Sequence, residues 1–83
     1  MPRYRRRPVE IEAFKWLGDW KEAPEWLTQA KAEGKISQRG SVLYIQTSEG
    51  TRVVTLGDYI IRGVQGELYP CKPDIFAVTY EEI

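Results

Sequence analysis

Gly57-Asp58-Tyr59-Ile60-Ile61-Arg62-Gly63-Val64-Gln65-Gly66-Glu67-Leu68-Tyr69-Pro70-Cys71-Lys72-Pro73-Asp74-Ile75-Phe76 is the stretch that decides the fold. Gly57-Asp58 breaks the segment before it, and Tyr59 to Val64 then reads as a strand. Ile60 and Ile61 are adjacent, so both faces of that strand are expected to be buried. Gln65-Gly66 supplies a turn, and Glu67 to Tyr69 pairs back. Pro70 and Pro73 are expected to stop the sheet. Pro73 suits the first position of a helix, where its missing N–H costs nothing, and Asp74 suits the first turn. Ile75, Phe76, Thr79 and Tyr80 share one face of that short C-terminal helix.

Upstream the signals are also mainly β. Ser41 to Thr47 alternates Val42 and Tyr44 against Leu43 and Ile45. Ser48-Glu49-Gly50 is a turn cluster, and Thr51 to Leu56 is the return strand. Lys35 to Gln38 reads as a further short strand closed by Arg39-Gly40. Before it, Ala23, Trp26, Leu27 and Ala30 form an apolar stripe at helical spacing. Pro24 opens that helix and Gly34 stops it. Val9, Ile11 and Ala13 alternate with Glu10 and Glu12, which is strand period, and Phe14 and Trp16 follow. The order β-α-β-β-β-β-β-α with hairpin-length loops predicts an α+β domain. Its expected form is a small, curved, mainly antiparallel sheet (a half-barrel), with one helix after the first strand and a short one at the end.

The chain has 83 residues, enough for one domain, taken as residues 9–83 behind a basic N-terminal arm over 1–8. Twelve basic and twelve acidic residues cancel, which counts against a nucleic-acid partner. Arg5, Arg6 and Arg7 in the arm keep phosphate contact open as a secondary reading. There is one cysteine and no stretch near membrane-spanning length. No apolar run follows the arginines as in a signal peptide, so a cytoplasmic location is expected.

Several chemistries are excluded by composition. Without histidine there is no Ser–His or Cys–His nucleophile pair within the chain, and one cysteine cannot supply a Cys/His zinc site. No phosphate-cradling glycine motif is present. Carboxylate chemistry at Asp58, Glu67 and Asp74 is the one catalytic route left, against their reading as turn, surface and helix-start residues. No cofactor is expected, and binding is favoured over catalysis.

Arg62 lies on an otherwise apolar strand, and Lys72 stands just before a helix. With Tyr69 they could hold an anion and stack a planar ring; a structural ion pair with Asp58, Glu67 or Asp74 is the competing reading. Trp20 sits among Asp19, Lys21 and Glu22, so it is the tryptophan expected to be exposed, whereas Trp16 and Trp26 are expected in the core. Cys71 beside Lys72 reads either as a reactive thiol or as a small buried hydrophobe.

Tyr4-Arg5-Arg6-Arg7-Pro8-Val9-Glu10-Ile11-Glu12-Ala13-Phe14-Lys15-Trp16, Pro24-Glu25-Trp26-Leu27 and Gly57 to Tyr80 together resemble a family of small phage and prophage proteins. Leu56 departs from the proline expected before Gly57. The resemblance implies phage origin and action in the host cytosol, and carries no catalytic residues. By analogy with small phage proteins that antagonise host defence, it suggests sequestration of a small anionic nucleotide-type ligand by a homo-oligomer, through Arg62, Tyr69, Lys72 and Trp20. A module that caps a host or phage protein is the alternative.

Overall fold

A computed structural model describes Pro2, Arg3 and residues 9–83. Arg5, Arg6 and Arg7 lie outside the described residues. The elements are β1 (Glu12–Lys15), α1 (Glu25–Ala32), β2 (Ile36–Arg39), β3 (Val42–Thr47), β4 (Gly50–Val54), β5 (Tyr59–Arg62), β6 (Leu68–Cys71) and α2 (Pro73–Thr79). The α+β order is the one the sequence predicts, with every pairing antiparallel.

The expected single half-barrel is not what forms. The strands make two three-stranded sheets, ordered β1-β5-β6 and β2-β3-β4, and they do not close. The reason lies at Thr55–Asp58. The Asp58 N–H donates to the Thr55 carbonyl at 3.0 Å, which closes a tight turn. Gly57 has φ +91, the left-handed value a type II turn requires at its third residue. Instead of pairing back on β4, the chain leaves this turn toward β1. The Trp16 N–H donates to the Asp58 carbonyl, and the Gly57 N–H to the Trp16 carbonyl, both at 2.8 Å. The place beside β5 that β4 would take is therefore filled by β1.

The inner faces of the sheets enclose one core with α1. Trp16, Leu27, Leu43, Ile45, Val54 and Ile60 are fully buried, and Ala30 and Ile36 nearly so. Each such aliphatic side chain contributes about 1.5–3 kcal/mol on leaving water, so this cluster dominates the stability. The indole N–H of Trp16 donates to the Ser41 carbonyl at 2.7 Å and ties the β1 end to the β2–β3 turn.

Register assigns the opposite face of the first sheet. Ile61 stands between Ala13 and Tyr69, and Tyr59 between Lys15 and Cys71. On this face the Tyr59 ring stacks on Phe76 of α2 at 3.8 Å and 7°, and Phe76 leans on Tyr80 at 5.1 Å. Both isoleucines are buried, on opposite faces, as their adjacency predicts.

Three local expectations change. In β1 the inward face carries Phe14, with Trp16 buried just after it, while Val9 and Ala13 are exposed, so the alternation of Val9, Ile11 and Ala13 pointed to the wrong side. Pro24 precedes the helix, with ψ 159, and its carbonyl accepts the N–H of Leu27 at 3.0 Å. Pro70 lies inside β6, opposite Ile60. It is tolerated because β6 is an edge strand of its sheet, where a missing N–H breaks no second ladder.

Candidate functional site

The sequence-predicted residues separate into three places. Lys72 caps α2, and its ammonium reaches Asp58 Oδ2 at 3.0 Å. The same oxygen accepts the Thr55 N–H at 2.9 Å and the Thr55 hydroxyl at 3.1 Å. Burial alone would push the Asp58 carboxyl up. The Thr55 N–H, the Lys72 ammonium and the Thr55 hydroxyl outweigh it and hold the pKa below the ordinary carboxylate value. This is a clasp between the β4–β5 turn and the β6–α2 junction, and it is the structural ion pair weighed for Lys72. α2 opens with Pro73, which has no N–H, so its first turn offers one donor fewer to an anion beside Lys72.

Trp20 is not the exposed anchor expected. Its ring is half-buried, packs edge-on to Trp16 at 5.3 Å, donates to Gln38 Oε1 at 2.8 Å, and is covered by the Lys31 ammonium at 4.5 Å. Cys71 is half-buried, and burial, then Asp74 and Asp58, raises its thiol pKa. Burial, the largest of these, favours the neutral thiol, which supports the reading as a small, partly buried hydrophobe. Asp74 is exposed in the first turn of α2. Asp58, Glu67 and Asp74 do not gather, and among the described residues no group of metal-ligating side chains does.

Arg62 and Tyr69 both border a surface cleft of about 750 Å³ between α1, the end of the β3–β4 hairpin and the β5–β6 turn. The Tyr69 hydroxyl lies 3.4 Å from that of Tyr80, and burial first, then this contact, pushes its pKa up to about 12. Tyr69 thus forms wall, with its phenol engaged at α2. Arg62 projects from the core-facing side of β5, level with Leu68 and opposite Glu12 of β1.

The other cleft residues were missed from sequence: Trp26 on α1, Lys35 after it, and Arg52 on β4. A signal was present. Arg52 has the parity of the buried Val54, and Arg62 that of the buried Ile60. Arginine on the inward side of a strand marks the place where the core opens to water.

Donors and acceptors in the cleft are unequally engaged. Glu33 accepts from Lys35 at 3.1 Å and Gln29 at 3.2 Å, and the Lys35 and Gln29 bonds hold its pKa low. Glu67 folds back to accept the Gln65 N–H at 2.9 Å. Its carboxylate lies close over Gly63, in the space a Cβ there would occupy. By contrast, among the described residues Arg62 has one side-chain hydrogen bond, Nη1 to Glu12 at 3.0 Å. Arg52 also has one, Nη2 to Glu49 at 3.5 Å. A guanidinium carries about five N–H donors in a planar fork, so most of these remain open to a ligand.

No protein-family model matches the chain, and no curated protein and no solved structure is significantly similar to it. Fold and cleft therefore define only a class, a small α+β domain with a polar, arginine-bearing cleft between two sheets and a helix.

Proposed function

We propose that this protein acts by binding and not by catalysis, and that its cleft takes a small anionic ligand of nucleotide type. The observation that supports this is the asymmetry of the lining. The carboxylates of Glu33 and Glu67 are held by the protein's own donors, while Arg52 and Arg62 present spare ones. Guanidinium forks match phosphate oxygens two at a time. The cleft volume of about 750 Å³ falls in the small-molecule range. Half-buried Trp26 lines the cleft and is the aromatic side chain there against which a base would pack. The binding residues are thus Arg62, Arg52, Lys35 and Trp26, with Tyr69 as wall.

The setting we propose is that of a phage accessory protein directed against host defence in the bacterial cytosol, for which the sequence resemblance is the support. Among the described residues no helix is long and apolar enough to cross a membrane. Thermal unfolding with a panel of nucleotides tests the reading. Ligand at one hundred times its Kd stabilises by about 2.7 kcal/mol, which for a domain of this size raises Tm by roughly 10–20 °C. No shift at millimolar ligand would sink it. A second reading, a module that caps another protein, is favoured by Leu17 and Leu56, which are 66% and 57% exposed on neighbouring loops. Capture of one stoichiometric host protein, lost in Leu17→Asp, would support that reading instead.

A further inference from the structure

We infer that the cleft selects its ligand by exchange of ion-pair partners, and that the ligand class is a nucleotide bearing two or more phosphate groups. The inference rests on the binding reading above and adds its mechanism and selectivity. Arg62 belongs to the β1-β5-β6 sheet and is tethered to Glu12, directly opposite it on β1. Arg52 belongs to the β2-β3-β4 sheet and is tethered to Glu49, three residues earlier in the hairpin loop. The two arginines thus reach one cleft from different sheets, each with a separate carboxylate.

Both tethers are weak. Each joins one guanidinium nitrogen to one oxygen, at 3.0 Å for Arg62 and 3.5 Å for Arg52. All four side chains are well solvated: 44% and 61% exposed for Arg62 and Glu12, 53% and 78% for Arg52 and Glu49. Exposed single-point pairs contribute little in water and are easily exchanged. A phosphate group carries more charge than a carboxylate and accepts two parallel N–H bonds from one guanidinium, so it displaces the glutamate. One such group satisfies one arginine. Two arginines on separate sheets ask for two anionic groups, and a monophosphate leaves one of them on its glutamate. Glu67 is not displaced, since its partner is a backbone N–H. It stays as fixed negative charge that disfavours anions unable to reach both arginines.

The tethers restrain the empty site and compete with the ligand. Removing them should therefore strengthen binding. Titration calorimetry at low salt with ADP, inorganic pyrophosphate, AMP and adenosine reads this directly. For the native chain, ADP and pyrophosphate bind, AMP binds at least about tenfold more weakly, and adenosine gives no heat. Glu12→Gln and Glu49→Gln each tighten ADP by roughly threefold to tenfold, and Arg52→Ala with Arg62→Ala abolishes it. All four positions are exposed, and an unchanged melting profile without ligand verifies that each variant folds. AMP equal to ADP, or glutamine variants that bind ADP no tighter than the native chain, would overturn the exchange and leave the binding reading standing. Absence of heat with all four probes overturns both.

Discussion

Lys72 meets Asp58 at 3.0 Å, and Arg62 meets Glu12 at 3.0 Å, yet the two pairs sit in different surroundings. The Asp58 side chain is 4% exposed and has the N–H and hydroxyl of Thr55 fixed beside it. The Glu12 side chain is 61% exposed. Equal length therefore says nothing of equal worth. In the clasp, the Thr55 donors are fixed on a buried carboxylate where water does not replace them, and Lys72 closes it from the solvent side. At the cleft rim, water or a ligand can replace either partner without leaving a buried charge behind. The clasp holds two junctions of the chain together, and the rim pair is available for exchange.

Substitution can break this contrast, and the largest effect is expected at Asp58. Asp58→Ala removes three hydrogen bonds and leaves the Thr55 N–H without its acceptor, so the free energy of unfolding should fall by about 3 kcal/mol in urea titration. A loss below about 1 kcal/mol would mean the clasp is no tighter than the rim. Lys72→Met should cost less, about 1 kcal/mol, because the lysine side chain is 59% exposed and Thr55 keeps two bonds to the carboxylate. Arg62→Ala and Glu12→Gln should each change stability by less than about 0.5 kcal/mol; a larger loss would make that pair structural.

The pH dependence sharpens the same contrast. The folded pKa of Asp58 lies below the ordinary 3.8, so its contribution is complete above that value and is lost as pH falls through the folded one. Acid unfolding of the native chain should steepen there, and Asp58→Ala should flatten it. At the other end, the Tyr69 phenol rises from 10.0 to about 12 on folding. Its stabilisation is present below pH 10 and is lost as pH climbs toward 12, a loss Tyr69→Phe should abolish in an alkaline denaturation series.

Residues close in sequence carried most of what could be read in advance. Ile60-Ile61 announced a strand covered on both faces, and Gln65-Gly66 announced the turn of a hairpin; both are present. Partner choice was not legible. β1 and β5 lie far apart along the chain, and period-2 alternation says which residues share a face but not which strand they meet. That is why two sheets were read as one. The apolar alternation of Val9, Ile11 and Ala13 misled for a related reason: Phe14 and Trp16 bury more area, and they took the inner face. Of the candidate site, Arg62 was found because it interrupts an apolar strand. Arg52 and Trp26 were not, since their relation to Arg62 exists only after the sheets dock. Trp20 was read by its polar loop neighbours alone and is engaged by the distant Gln38, whereas for Lys72 the pair with Asp58 was one of the two readings weighed, and it is the one that forms.

The Trp16 indole, fully buried and bonded to the Ser41 carbonyl, spans the gap between the sheets. Its N–H can meet solvent only when the two halves come apart. In deuterium exchange followed by NMR, that single indole proton should therefore disappear at the rate set by global unfolding, together with the amides of β3 and β5. The two sheets would then be one cooperative unit with no partly opened intermediate between them, and a ligand that bridges Arg52 and Arg62 would slow the exchange of a proton it never touches.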